Sequence, residues 1–395
     1  MTEKFEIIFP DYADCNLGII ASILKHYQIE ISTPSNPEID RKLASGAYRN
    51  VIFFLLDGMG TRVLEKNLGA DSFLRRNSLR SLKAVYPSTT TCVMSSLFSG
   101  LQPISHAWLA WSLYFREWHQ NIDLFPYRDS FTGELIRREE KNVLDFMDFQ
   151  PIFPRIEEAT AGEVNIHCVF TEITRPRLTD LAANYLTKIN SFSALAETAL
   201  QKSRLPGQNF IFAYYKSPDD LMHRHGVTHP LVSEFLAEAD RTLVAHAEQF
   251  EDALVIISAD HGMLEMENHF RLDEIPPINE LLREFPAGDP RAKMIRVQPG
   301  KEDLFAQRFK REFGDEFLLF SREEFLSRGF LGAGDVHPKV NDFLGDFVAC
   351  GVGTSDLLYS PPGGKPAAAL LGHHAGLTAD EMLVPLILLD GKSKS

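Results

Sequence analysis

The sequence predicts an α/β fold: a mainly parallel sheet sandwiched by helices, with a smaller α/β cap unit inserted late in the chain. Three observations predict it. Short, almost wholly apolar runs, NVIFFLL (50–56), NFIFAYY (209–215) and ALVIISA (253–259), read as strands buried on both faces. Helical patterns such as SFSALAETALQKS (191–203) and LVSEFLAEADRTLVAHAEQF (231–250) lie around and between them, as crossover helices of a parallel sheet would. At 395 residues the chain also exceeds the ~250–300 residues at which a single core stops growing.

Weaker strands are expected at LKAVYP (82–87) and NIHCVF (165–170). TCVMSSLFSG reads as a helix with Val93, Met94 and Leu97 on its apolar side and Gly100 at its end. The aromatic-rich segment HAWLAWSLYFREWHQNIDLFPY (106–127) reads as core and lid packing, with a pocket wall for a flat group as the rival reading. Residues 266–370 change character. Their runs KMIRVQP, EDLFAQRFKREFG, EFLLF, SREEFLSRGF and DFVACG suggest a cap subdomain, and SPPGGKP (360–366) its exit linker. The catalytic core would then comprise 1–265 plus 371–395, the chain returning to the sheet with MLVPLILLD. Lys293, Arg296 and His337 in the cap are expected as surface charges.

Composition excludes several classes. Hydrophobic residues at 44% and charged residues at 24% are ordinary for a globular protein. A net charge of −14 without a basic run argues against a nucleic-acid polymer as partner. The four cysteines are scattered with no CxxC pair, so neither a zinc ribbon nor a disulfide framework is indicated. MTEKFEIIFPDYAD lacks the pattern of a signal peptide, and no apolar run approaches the ~18 residues of a membrane span. A cytoplasmic location without a membrane partner is the expectation.

Chemistry concentrates where the apolar runs end. NVIFFLL runs into Asp57-Gly58; NFIFAYY is followed by PDDLMHRH with Asp219, Asp220, His223 and His225; ALVIISA runs into Asp260-His261-Gly262. Parallel sheets bind ligands outside the carboxyl ends of their strands. One aspartate there is a common cap or turn residue, but three together repel one another unless a cation neutralises them. Mixed aspartate and histidine ligands suit zinc better than Mn²⁺ or Mg²⁺. The Asp219–His223 spacing puts both on one helical face, and one of His373 and His374 in LLGHHAGLTADEM would complete the set. Six ligands fit two ions, the clamp used in phosphoryl transfer. The hydroxyl run in YPSTTTCV lies at a helix start, where free N–H groups favour phosphate and a metal-activated hydroxyl becomes a nucleophile.

The pieces LLDGMG, YPSTTTCVMSSLFSGLQPISH, YYKSPDDLMHRHG, SADHGM and HHAGLTADEMLVPL, in this order over residues 50–390, resemble the type I phosphodiesterase / nucleotide pyrophosphatase branch of the alkaline phosphatase superfamily. The resemblance implies an alkaline phosphatase-like core and two divalent ions, zinc in the family, with Mn²⁺ or Mg²⁺ as substitutes. It implies hydrolysis of a small-molecule phosphoester such as a nucleotide through a phospho-threonine intermediate. Laid over the family's nucleophile motif, the chain places Thr90 at the nucleophile, ten residues before Gly100 and sixteen before His106. Asp219, His223 and His374 would hold one zinc; Asp57, Asp260 and His261, with the Thr90 hydroxyl, the other. Two departures stand out: the family's Phe-Pro-Asn is Thr91-Cys92-Val93 here, and its phosphoryl-binding asparagine falls at Trp111. Thr91 and Trp111 are therefore the substrate-binding candidates. Cys92-Val93-Met94-Ser95 lacks the C/S-x-P-x-R pattern of sulfatases. The alternatives are a phosphomonoesterase, phosphonate hydrolase or phosphomutase of the superfamily, or a metal-stabilised binding protein without turnover.

Overall fold

NVIFFLL lies in the middle of a seven-stranded sheet, and every residue of the strand Asn50–Leu56 is buried. The computed structural model describes residues 5–46, 48–171 and 180–391; the chain ends assigned above to the core, 1–4 and 392–395, lie outside them. Asn50–Leu56 pairs in parallel with Gln208–Tyr215 and with Ala253–Ser258, so Phe53 stands between Phe212 and Ile256. Across the sheet the order is 78–83, 383–391, 253–258, 50–56, 208–215, 164–171, 186–189. Only Leu383–Gly391 runs against its neighbours. The helices Phe192–Ser203 and Pro230–Ala247 begin as their sequences dictate. Ser191 caps the first through its side chain, and a proline opens the second.

One strand departs from expectation. Of the run expected at 82–87 only Leu82 and Lys83 are strand; the edge strand is Ser78–Lys83, SLRSLK, mostly half-exposed. Its ladder ends one step later: Ala84 N–H still reaches Met382 O (2.7 Å) in register, but Met382 belongs to the helical turn Ala379–Met382, and Val85 N–H turns to the Asn16 side-chain oxygen (3.1 Å). Residues 84–89 then lead, outside the sheet, into the helix Thr90–Ser99, which Gly100 closes at φ +74°.

The aromatic-rich segment buries Trp108, Phe115 and Phe125 and also forms a small antiparallel sheet, Ser112–Phe115, Gln120–Asp123 and Arg128–Asp129. Within 266–370 lies a four-stranded antiparallel sheet in the order 287–289, 292–295, 347–351, 317–321. Its strand Phe347–Gly351 alternates with period two: Phe347 and Ala349 face a separate apolar cluster, Val348 and Cys350 the main core. Helix Glu302–Phe313 supplies that separate cluster with Phe305, Phe309 and Phe313, one per turn. No helix among the described residues is long and apolar enough to cross a membrane.

The second sheet is tied to the main one by a buried ion pair. Arg291 is fully buried and grips Glu381 with two parallel bonds of 2.6 and 2.8 Å, while a third donor reaches Ser355 O at 2.6 Å. Glu381 in turn accepts from Gly376 N–H and the Thr378 hydroxyl, both at 2.7 Å, fixing the turn after His374. Removing one partner leaves a buried, uncompensated charge. Arg291→Met is expected to lower unfolding free energy by about 3–5 kcal/mol in urea titration, and the double change Arg291→Met with Glu381→Met to lose clearly less.

Candidate active site

Three loops meet at one edge of the sheet because their main chains bind one another and the Asp260 side chain. Asp57 N–H donates to Tyr215 O (2.9 Å), Asp219 N–H to Asp57 O (3.0 Å), and Gly58 N–H to Asp260 Oδ1 (3.0 Å). Gly58 sits at φ +73°, a conformation that glycine tolerates. Gly262, after His261, passes so close to Asp380 that an added Cβ would lie 2.0 Å from its carbonyl oxygen. Asn16 joins this edge to the approach to Thr90: its amide donates to Ala259 O (3.1 Å) and Asp260 O (2.9 Å) while its oxygen accepts from Val85 N–H.

The side chains that converge there are shielded from water. Asp57, Asp260 and His261 are fully buried, Asp219, Thr90 and His374 nearly so, and His223 is half-buried. Each of three imidazoles donates through Nδ1 to a main-chain carbonyl: His223 to Gly372 (2.8 Å), His261 to Gly262 (2.8 Å) and His374 to Ser88 (3.0 Å). That sets each ring's orientation and turns its Nε2 toward carboxylates. His223 Nε2 is 3.2 Å from Asp219 Oδ1, His374 Nε2 3.8 Å from the same oxygen, and His261 Nε2 3.3 Å from Asp260 Oδ2 and 3.5 Å from Asp57 Oδ1. Asp219 Oδ1 and Asp260 Oδ2 are buried without a hydrogen-bond partner.

Burial pushes the Asp260 carboxyl up to about 6. Burial also opposes ionisation of Asp219, yet the His223 imidazole beside it holds its carboxyl below the usual range, and Asp219 raises His223 in return. Burial, reinforced by His261, drives His374 far below the ordinary imidazole value. Imidazole nitrogens crowded with unpartnered carboxylate oxygens in a dry site are what divalent cations relieve, so the residues fit metal ions. They form two groups able to hold one: Asp219, His261 and His374, and Asp57, Asp260 and His261. His261 belongs to both, whereas sequence reasoning gave it only to the second and put His223 in the first. His223 stands beside the first group on the Asp219 oxygen. His373 joins neither; its Nδ1 accepts the His374 N–H at 3.0 Å.

Thr90 opens its helix, and its Oγ1 lies 3.4 Å from Asp57 Oδ1 and 3.3 Å from His261 Nε2. Other hydroxyls of the run are engaged elsewhere, Ser88 with Gly376 O and Ser96 with His106. A cavity of about 470 Å³ opens over Thr90, His223 and His374, and Trp111 forms part of its wall. Thr89, not Thr91, is the second threonine of that wall. The helix begins at Thr90, so Thr91 is turned about 100° further round and its side chain is fully buried.

A model of the type I phosphodiesterase / nucleotide pyrophosphatase family matches residues 51–315. The chain belongs to that family. Among solved structures, murine ectonucleotide pyrophosphatase / phosphodiesterase 5 matches at 18% identity and TM-score 0.59, covering 87% of this chain and 90% of that one. Phosphonoacetate hydrolase from Sinorhizobium meliloti 1021, solved with phosphonoformate, matches at 17% and TM-score 0.64, with 87% and 90% covered. An inactive variant of the murine protein, solved in complex with AMP, matches at TM-score 0.60 and 18% identity, covering 87% of this chain and 90% of that one. No curated protein sequence matches the chain.

As a phosphodiesterase/pyrophosphatase-type hydrolase of the alkaline phosphatase superfamily, which is metal-dependent, the chain carries residues that its motifs did not disclose. Tyr214 donates its hydroxyl to Asp57 Oδ2, yet in NFIFAYY it reads as one more core aromatic. Asn16 lies far from any motif. Lys293 and Arg296, expected at the surface, are 6% and 5% exposed. Arg296 lies over the Tyr114 ring at 4.6 Å and donates to Phe343 O at 3.1 Å, while Lys293 lines the cavity. His337 is half-buried. Groups that orient metal-binding side chains typically change affinity about 10–100-fold when removed. Tyr214→Phe is accordingly expected to weaken metal binding by about that factor in a chelator competition titration, with the fold unchanged by circular dichroism.

Proposed function

We propose that the protein hydrolyses small phosphoric esters, of the phosphodiesterase or nucleotide pyrophosphatase type, with Thr90 as nucleophile and two divalent ions, zinc preferred. The observation that carries this reading is the Thr90 hydroxyl within 3.4 Å of Asp57 and 3.3 Å of His261, at the start of a buried helix and on the wall of a cavity. Asp219, His223 and His374 would hold one ion; Asp57, Asp260 and His261, with Thr90, the other. Bound there, the ions lower the pKa of a hydroxyl and neutralise phosphoryl oxygens.

This chain's own residues do the rest. Thr90 Oγ1, its proton released to water, attacks phosphorus in line; the new Oγ1–P bond forms as the bond to the leaving oxygen breaks, that oxygen takes a proton from water, and a phospho-threonine remains. Water then cleaves that bond and the hydroxyl is restored. The helix's first internal bond is Val93 N–H to Thr89 O, so the amides of Thr90, Thr91 and Cys92 are left to face phosphoryl oxygens. Thr91 thus acts through its backbone. Trp111 offers a flat wall for a base or another planar group. AMP bound to the murine neighbour supports a nucleotide substrate, and phosphonoformate bound to the bacterial one supports a phosphonate as the second reading.

Thr90→Ala is expected to cut kcat by more than about 10³-fold while metal content stays at the wild-type level; full activity removes Thr90 as nucleophile. Rates on bis-p-nitrophenyl and mono-p-nitrophenyl phosphate are expected to favour the diester, and a strong preference for the monoester would favour the phosphomonoesterase reading.

A further inference from the structure

The cavity over Thr90 contains a charge that the chemistry above does not use. Lys293 belongs to the strand Ala292–Ile295 of the second sheet and stands opposite Gly288 in register. It is 6% exposed and, among the described lining residues, the one lysine or arginine of that cavity. Its ammonium donates to Gly288 O at 3.2 Å; no described carboxylate is in direct ion-pair contact with it, and Asp289 and Asp356 attract it from further away. An ammonium carries three donors, and buried charges are ordinarily paired. The Asp289 carboxylate, which attracts the lysine, is shared with the wall: it accepts Trp111 N–H at 3.3 Å.

The position of Lys293 is enforced by the hairpin. Gly288 is at φ +82°, and a Cβ on it would meet Ala292 O at 2.4 Å, so the two strands approach more closely than a side chain permits. The lysine is held on the wall that also presents Thr89, Thr90 and Trp111.

We propose that Lys293 is a specificity-determining residue, binding a negative charge that the substrate carries in addition to the single charge of a phosphodiester linkage. The lysine raises activity on a phosphoester or phosphonate with a further ionised oxyanion close to the reacting phosphorus, above what the rest of the site gives it, without setting which linkage is the faster overall. That oxyanion is either a second charged oxygen on the same phosphorus or a neighbouring carboxylate. The inference rests on reading this cavity as the substrate site.

Lys293→Met keeps the length of the side chain and removes only the charge. In the metal-loaded protein, kcat/KM is measured for bis-p-nitrophenyl phosphate, p-nitrophenyl phosphate and phosphonoacetate. The expected result is a loss of about 10–100-fold on the two substrates with the further charge, a change within about threefold on the diester, and recovery in Lys293→Arg. A larger loss on p-nitrophenyl phosphate assigns the charge to the reacting phosphorus; a larger loss on phosphonoacetate assigns it to the carboxylate. Equal loss on all three, or no loss on any, overturns the proposal. Calorimetric binding of inorganic phosphate against dimethyl phosphate reads the same preference without turnover. A Thr90→Ala protein that keeps full turnover would sink the nucleophile reading and leave this preference standing.

Discussion

Three imidazoles that spend their Nδ1–H on main-chain carbonyls and turn Nε2 toward buried carboxylates set the terms for this molecule. In water such an arrangement would relax by protonation or by moving apart. Here His223, His261 and His374 are pinned at Nδ1, the loops of Asp57 and Asp219 bind each other through the backbone, and the Asp260 carboxylate accepts Gly58 N–H. Repulsion at low dielectric is strong and unscreened. The fold therefore stores a demand for positive charge at one edge of its sheet, and that demand is what phosphoryl chemistry uses.

The remaining architecture holds that edge in place. Parallel strands with matched ends bring Asp57, Asp219 and Asp260 together, and glycines at 58 and 262 allow backbone approaches that a side chain would block. Arg291 and Glu381 fasten the second sheet to the turn that follows His374. Because one face of that sheet also joins the main core, the cavity wall bearing Lys293 and Asp289 is rigidly related to Thr90.

Much of this was legible in the sequence where burial leaves a simple mark. Strands covered on both faces are continuously apolar, so 50–56, 209–215 and 253–259 were found nearly to the residue, and the ligands after them followed. The edge strand Ser78–Lys83 was missed except for its last two residues because an exposed edge keeps a polar sequence and most of the apolar run beside it lies outside the strand. Tyr214 and Asn16 were hidden because buried polar contacts depend on three-dimensional neighbours that spacing does not encode. Thr91 was named because it stands where the family motif has phenylalanine; the helix that starts at Thr90 puts Thr89 on the cavity wall instead, which a motif overlay does not encode. Lysine and arginine are usually exposed, so composition alone put Lys293 and Arg296 outside; the second sheet encloses them.

The central claim is that this buried edge is completed by two cations. Anomalous diffraction from crystals grown with zinc, combined with elemental analysis of the same protein, measures it directly. Two peaks are expected, one bounded by Asp219, His223 and His374 and one by Asp57, Asp260 and His261, with two ions per chain. A single ion, or none at the Asp57, Asp219 and Asp260 edge, would contradict it.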